Sequence, residues 1–150
     1  MTEHRAELLA LIREIRTAFN QMKGLAEQLH ADLGITPSMR AVLEAFVEND
    51  PRTVPEVARE KSVSRQHVQT VANALVDAGL LSAEDNPDHK RSPYYRPTAH
   101  GDHLFAKIRA REAAPLAKLA AALPEAEVAY ARRFLSRMNG ILETLITEGD

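Results

Sequence analysis

Apolar residues recur at every third or fourth position in the first part of the chain, which is the spacing of one face of an α-helix. This face comprises Leu8, Ile12, Ile15, Phe19, Met22, Leu25 and Leu29. The pattern lasts for about seven turns, or roughly 35 Å at the rise of an α-helix. Gly34 follows the last periodic residues, and a glycine in this place favours the end of a helix.

The same spacing returns in the last third of the chain. Its apolar positions are Leu116, Leu119, Leu123, Val128, Phe134, Leu135, Met138, Leu142 and Leu145. We expect two helices that separate at Leu123-Pro124, because proline suits the first turn of a helix and disfavours helical backbone in the residue before it. Pro115 lies inside the first of these helices and predicts a kink there.

Long apolar helices at both ends present more apolar surface than a chain of 150 residues can cover. We therefore expect a homodimer in which the terminal helices of two copies interlock. Packing of the two terminal regions on each other within one chain is the alternative.

Shorter helical patterns with clear start signals occupy the middle of the chain. Thr36-Pro37 predicts a helix start and is followed by apolar residues as far as Val47, so that this helix ends near Asn49. Asp50-Pro51 is a turn signal. Thr53 then favours the start of a short helix over VPEVAREKS.

A third helix follows after the tight connection Ser62-Val63-Ser64. We interpret Ser62 and Ser64 as helix caps with contact to a phosphate as a second role, and Gly79 as the residue that ends the third helix. Its inward positions are Val68, Val71, Ala72 and Leu75. Two short helices joined by such a turn predict a helix-turn-helix.

The outward side of the third helix carries side chains that can bind the edges of bases. They are Arg65, Gln66, Gln69, Thr70 and Asn73. Arginine pairs with guanine through two hydrogen bonds, and glutamine or asparagine pairs with adenine in the same way. This pattern predicts a DNA-reading helix, although an ordinary polar helix face would have a similar composition.

A short β-hairpin is predicted directly after this helix. Leu80-Leu81-Ser82-Ala83 favours a strand, Asn86-Pro87-Asp88 a turn, and Tyr94-Tyr95-Arg96 the returning strand. Pro93 and Pro97 fall at the strand ends, where proline is tolerated. Thr98 then caps the next helix.

The tip of this hairpin carries Lys90 and Arg91, which we expect to contact the minor groove or the phosphate backbone. The fold class is therefore mainly α with a small β-hairpin wing. A winged helix-turn-helix over 35–101 is flanked by helical dimerisation regions over 1–34 and 102–150.

Charge and composition qualify this picture. The formal net charge is -2, with 19 basic and 21 acidic side chains, whereas most DNA-binding domains are basic. The acids are unevenly placed, because none occurs from Lys61 through Val76 or from His89 through Gly101. The chain has no cysteine, and its apolar runs are too short to span a membrane. We expect a cytoplasmic protein.

Catalytic and metal chemistry find little support in the sequence. We see no nucleophile–base pair, no phosphate-binding glycine loop and no cluster of carboxylates, so we expect neither an enzyme nor a cofactor. His100 and His103 are three residues apart and are able to share one helix face. They lack a third ligand nearby, so a metal-responsive regulator is kept only as an alternative.

The stretch from about Thr36 to Gly101 resembles the MarR family of winged-helix transcriptional regulators. The resemblance rests on the helix-turn-helix, LVDAGLL before the wing, DNPDHKRSP at its tip and the closing PTAHG. It implies a homodimer on pseudo-palindromic promoter DNA, a repressor that a small aromatic or anionic molecule releases, and a wing arginine at Arg91. An effector site between the terminal and second helices would involve Phe19, Met22, His30, Met39 and Arg40. These residues are otherwise interpreted as core or surface.

Some positions depart from the family pattern. His89 stands where an acidic residue usually orients the wing arginine, which leaves Asp88 to reach Arg91 across the turn. Ala83 replaces a common arginine, and Pro97 a common aliphatic residue. Because Ala83 removes a basic group near DNA, a second alternative is a winged-helix dimer that acts through protein contacts without binding DNA.

Overall fold

The computed structural model describes residues 2–49 and 51–149, and these divide into two compact units at the boundary between residues 111 and 112. The predicted turn at Asp50-Pro51 therefore falls partly outside the described residues. The helices are α1 (Glu3–His30), α2 (Pro37–Val47), α3 (Val54–Lys61), α4 (Arg65–Asp77), α5 (Ala99–Ala122) and α6 (Glu125–Glu148). The strands are β1 (Arg52–Thr53), β2 (Leu81–Glu84) and β3 (Tyr94–Pro97). The prediction of a mainly α fold with a hairpin wing is confirmed.

The predicted helix starts in the middle of the chain are confirmed by their hydrogen bonds. The Thr36 hydroxyl accepts a hydrogen bond from the Met39 backbone N–H at 3.1 Å, and Ser64 Oγ accepts one from the His67 N–H at 3.0 Å. At Thr53 the cap is reciprocal, because the Glu56 carboxylate also accepts from the Thr53 backbone N–H at 2.7 Å. These bonds satisfy backbone donors that have no partner within the helix.

The ends of the terminal helices also agree with the sequence. A short 3-10 helix over Ala31–Leu33 follows α1, and Gly34 then adopts the left-handed conformation with φ of 64°. The break at Leu123-Pro124 separates α5 from α6 as predicted. The helix α5 continues through Pro115.

One apolar core lies between α2, α3, α4, the sheet and the first half of α5. Its largest fully buried side chains are Leu43, Phe46, Val57, Val68, Leu75, Phe105 and Ile108. The predicted inward face of α4 is confirmed, because Val68, Val71, Ala72 and Leu75 are all buried. This burial fixes the rotation of α4 about its own axis.

The three strands form an antiparallel sheet in the order β1-β3-β2. Tyr95 lies opposite Arg52 on one side and Ala83 on the other. Sequence analysis missed β1, because two residues between Pro51 and Pro55 give no alternating pattern. Tyr94 is half-buried and Tyr95 is buried.

The C-terminal end of α4 is joined to the sheet and to α5 by a close backbone contact. Gly79 has φ of 73°, and the Leu80 N–H bonds to the Leu75 carbonyl oxygen at 2.8 Å, which is a Schellman ending. The Thr98 hydroxyl donates to the Gly79 carbonyl at 2.6 Å and accepts from the Gly101 N–H at 3.0 Å. Gly101 lies so close to Leu80 that a Cβ atom added to it would overlap the Leu80 carbonyl oxygen.

A second long-range contact joins the end of α1 to α5. The Arg111 guanidinium donates to the Leu29 carbonyl oxygen at 2.9 Å and to both carboxylate oxygens of Asp32. The hydrogen bond from Arg111 is the main cause that lowers the pKa of Asp32 from 3.8 to about 2.

We expect Gly101→Ala to destabilise the fold, because the added methyl group meets backbone that cannot rotate away. The expected loss is about 1–3 kcal/mol or more in the free energy of unfolding, measured by urea titration. Ala106→Ser, at an exposed position of the same helix, should change it by less than about 0.5 kcal/mol. Equal stability of Gly101→Ala and the parent would disprove the close contact.

We expect the pair of Asp32 and Arg111 to stabilise the fold in a pH-dependent way. Because the folded pKa of Asp32 is lowered, the stabilisation is complete above about pH 4 and is lost as the pH falls towards about 2. Asp32→Asn should therefore flatten the fall in unfolding free energy across this window, measured by denaturation at stepped pH. Asp85→Asn, at an exposed position, should keep the parent profile.

Candidate nucleic-acid interface

The helices α3 and α4 form the predicted helix-turn-helix. Ser62 ends α3 in the left-handed conformation, with φ of 54°, and its backbone N–H bonds to the Arg59 carbonyl oxygen at 3.4 Å. Ser62 is thus a C-terminal cap that acts through its backbone. Ser64 caps α4 through its side chain. The turn between them is exposed to solvent.

The N-terminus of α4 is open to solvent and has no acidic residue in its first turn. Helix N-termini attract anions, because their first N–H groups lack partners within the helix and carry partial positive charge. Arg65 and Gln66 are exposed beside this end of the helix. This end of α4 is suited to approach a phosphate backbone.

The predicted base-reading residues differ in how much of each side chain is exposed to solvent. Thr70 and Asn73 are exposed, like Arg65 and Gln66, whereas Gln69 is half-buried. Gln69 Nε2 donates a hydrogen bond to Asn73 Oδ1 at 2.9 Å and another to Tyr95 Oη at 3.0 Å. Gln69 therefore links the outer face of α4 to the wing.

The wing loop is held by a buried asparagine whose role was not predicted beyond the turn itself. Asn86 is 7% exposed. Its Nδ2 donates to the Ser92 carbonyl oxygen at 2.9 Å, and its Oδ1 accepts from the Asp88 N–H at 3.1 Å. A turn bond from the His89 N–H to the Asn86 carbonyl oxygen, at 3.2 Å, adds to these. The sequence signal was Asn-Pro, which marks a turn but not its long-range tether.

Lys90 and Arg91 are exposed on this loop. Within residues 2–49 and 51–149, Arg91 forms no ion pair, so Asp88 does not reach it as the sequence suggested. Arg96 differs, because its Nε donates to a Glu84 carboxylate oxygen at 2.8 Å. The positive charge of the wing is therefore concentrated at its tip.

The wing and α4 border one groove of about 350 Å³. Its walls include Arg65, Gln66 and Gln69 from α4, and Arg91, Ser92 and Pro93 from the wing. Val54 and Pro55 of α3 complete the lining. The fold thus brings four of the nine predicted DNA-binding residues together, while Ser62, Ser64, Thr70, Asn73 and Lys90 are exposed outside this groove.

The five residues predicted for an effector site have different surroundings. Phe19 and Met22 are 63% and 62% exposed, and His30 is buried. Met39 packs against the core, and Arg40 is half-buried, with Nη1 donating to Glu44 Oε2 at 2.8 Å. The exposure of Phe19 and Met22 shows that they are not core residues of this chain alone. The effector site itself stays a prediction.

The metal alternative has little structural basis. His100 and His103 are both exposed. Across residues 2–49 and 51–149, no group of three or more histidine, cysteine or acidic side chains is arranged to hold a metal ion. Two histidines alone do not complete a tetrahedral site.

A reading helix beside a hairpin wing defines a winged helix-turn-helix protein, and comparison with known proteins narrows this class. A family profile described as MarR family matches residues 33–92. A Mycobacterium tuberculosis protein described as uncharacterised, Rv2011c, is 33% identical over 132 residues, which are 88% of this chain and 92% of the relative.

Solved structures match the fold over nearly the whole chain. A crystal structure of a MarR family transcription regulator has a TM-score of 0.79 at 24% identity, and the match covers 99% of this chain and 98% of the other. A mutant of MarR from E. coli, complexed with operator DNA, has a TM-score of 0.78 at 22% identity over 91% and 99% of the two chains.

The chain belongs to the MarR family, and its solved structural matches have the winged-helix fold. The predicted family is thereby confirmed. In the part of the chain that the structure describes, no helix is both long and apolar enough to cross a membrane.

Proposed function

We propose that this chain is a homodimeric transcriptional repressor that binds pseudo-palindromic promoter DNA and is released by a small molecule. The observation that carries the DNA-binding role is the groove shared by Arg65, Gln66 and Gln69 of α4 and by Arg91 of the wing. Among residues 2–49 and 51–149, no acidic side chain lines this groove. Two guanidinium groups around one opening favour a polyanion such as DNA.

In this proposal α4 enters the major groove and the wing tip meets the adjacent minor groove or backbone. Arg65 and Gln66 lie at the start of α4, which is the part of a recognition helix that reaches base edges. Arg91 and Lys90 contact phosphates or the minor groove. Ser62, Ser64, Thr70 and Asn73 are exposed around this surface and complete the proposed contacts.

The dimer is supported by apolar side chains that the chain leaves uncovered. On α6, Tyr130, Ile141 and Ile146 are more than 60% exposed, and this helix has no buried residue. Leu116 on α5 is 65% exposed. We propose that a second copy covers these exposed apolar side chains of α5 and α6. The dimer would then present two copies of α4 to one DNA duplex, and its two-fold symmetry predicts a pseudo-palindromic operator.

The effector role is proposed for the region of Phe19, Met22, His30, Met39 and Arg40. The Arg40 guanidinium lies 6.0 Å from the centre of the Phe105 ring and is bonded to Glu44. A cationic group beside an aromatic ring suits a small aromatic or anionic molecule.

Because promoter DNA is the proposed partner, we also propose that the protein is cytoplasmic.

We expect binding to a duplex from the DNA upstream of its own gene to weaken steeply as salt rises, because each phosphate contact releases counterions. Fluorescence anisotropy at about 50 and 200 mM salt measures this. Arg91→Ala should lower the affinity for every duplex and reduce the slope of log K against log salt by about one. Arg16→Ala, an exposed arginine on α1, is the matched control and should bind as the parent does.

Absent or salt-insensitive binding by the parent would contradict the DNA-binding role. It would instead favour a winged-helix dimer that acts through protein contacts. The acidic residues of β2 and the loop after it, Glu84 and Asp85, motivate that second candidate. Parent-like binding by Arg91→Ala would disprove only the role of the wing tip.

We expect the parent to have twice the chain mass of 16.6 kDa in light scattering at micromolar concentration. Leu145→Glu places a charge on an apolar side chain that is 58% exposed, and should give the single-chain mass with unchanged helix content. Glu143→Gln, on the same helix, should remain dimeric. A parent at the single-chain mass would overturn the proposed dimer.

A further inference from the structure

We propose that Gln69 reads DNA with its carbonyl oxygen alone, and that Tyr95 is the positioning residue that imposes this. The expected preference is for a base that carries an exocyclic amine, adenine or cytosine, over guanine or thymine at one position of each half-site. The inference rests on the DNA-binding role proposed above and names one element of its specificity.

The first step is how firmly Gln69 is held. Gln69 is the fifth residue of α4 and projects from the turn that follows Arg65 and Gln66. Its Nε2 donates to Tyr95 Oη at 3.0 Å and to Asn73 Oδ1 at 2.9 Å. Tyr95 cannot easily move away, since it is 5% exposed and its ring centre lies 5.7 Å from that of Phe46.

The second step is a count of donors and acceptors. A glutamine amide has two N–H donors and one carbonyl oxygen with two lone pairs. Both donors of Gln69 are engaged within the chain, by Asn73 and Tyr95. Only Oε1 is left for DNA, so Gln69 accepts hydrogen bonds and does not donate them.

The third step applies this to the major groove. The two-bond pairing of glutamine with adenine needs an N–H for adenine N7 and the carbonyl oxygen for the adenine N6 amine. With its donors engaged, Gln69 can accept only from the N6 amine of adenine or the N4 amine of cytosine. Guanine and thymine present carbonyl oxygens in the groove, which repel Oε1. The result is a preference that does not distinguish adenine from cytosine.

The position of Gln69 in the groove is a second observation that supports base recognition by its carbonyl oxygen. Gln69 borders the groove together with Arg65, Gln66 and Arg91, so this side chain belongs to the proposed DNA-binding surface. Tyr95 is buried and is not among the described residues that line this groove. Tyr95 therefore acts on base choice through Gln69 and not by its own contact with DNA.

The test is selection of bound sequences from a randomised duplex pool by the full-length parent and by Tyr95→Phe. The parent should enrich adenine and cytosine together at the position whose profile changes in Gln69→Ala. Tyr95→Phe keeps the ring and frees one N–H of Gln69, which allows two-bond pairing with adenine. Adenine should then exceed cytosine by about fivefold to 100-fold at that position alone.

Tyr94→Phe is the matched control, because in the described chain the Tyr94 hydroxyl has no hydrogen bond to α4. It should keep the parent profile, and melting curves of both variants should show intact folds. Gln69→Glu provides an independent readout, since a carboxylate has acceptors and no donor. It should retain the preference for adenine and cytosine while binding every sequence more weakly.

Specific outcomes overturn the inference. Enrichment of guanine or thymine by the parent would mean that Gln69 donates, and adenine alone would mean that one N–H is already free. An unchanged profile in Tyr95→Phe would remove the positioning role of Tyr95. If the parent enriches no sequence at all, the proposed DNA-binding function fails together with this inference, whereas enrichment with the wrong pattern overturns this inference only.

Discussion

The burial of one face of α4 is the constraint on which the rest of the structure depends. Val68, Ala72 and Leu75 are completely buried, which fixes the rotation of α4 and decides which side chains face outward. The alternating strand β3 meets the same core through Tyr95. The wing and the reading helix are therefore held by one set of apolar contacts, and their shared groove is a consequence of core packing.

Local signals allowed much of this arrangement to be predicted. Thr36, Thr53 and Ser64 cap helices within three residues of themselves, and the inward face of α4 repeats with the helix period. What the sequence did not reveal depends on residues far apart. Gln69 meets Tyr95 across 26 positions, and β1 is a strand only because β3 lies beside it. Pairings of this kind have no period and no fixed spacing, so pattern analysis cannot detect them.

The net charge of -2 carried little information about function, because the charges are sorted in space. Glu84 binds Arg96 on the sheet, while Arg65 and Arg91 border a groove whose described lining residues include no acid. In the proposed complex with DNA, two arginines would make few phosphate contacts, so contacts to bases would supply a larger share of the affinity than in a strongly basic protein. The specificity of such a complex would depend strongly on side chains whose orientation is fixed before DNA binds, such as Gln69.

The contact between Gly101 and Leu80 has a mechanical consequence. The first turn of α5 rests directly on the backbone that ends α4, and Thr98 bonds to both sides of the joint. Two backbone segments in close contact cannot move independently of each other, because close packing transmits strain. A tilt of the first turn of α5 therefore also displaces the C-terminal end of α4. In the proposed dimer on DNA, the contact between Gly101 and Leu80 would therefore influence the spacing of the two α4 helices from a position away from the DNA.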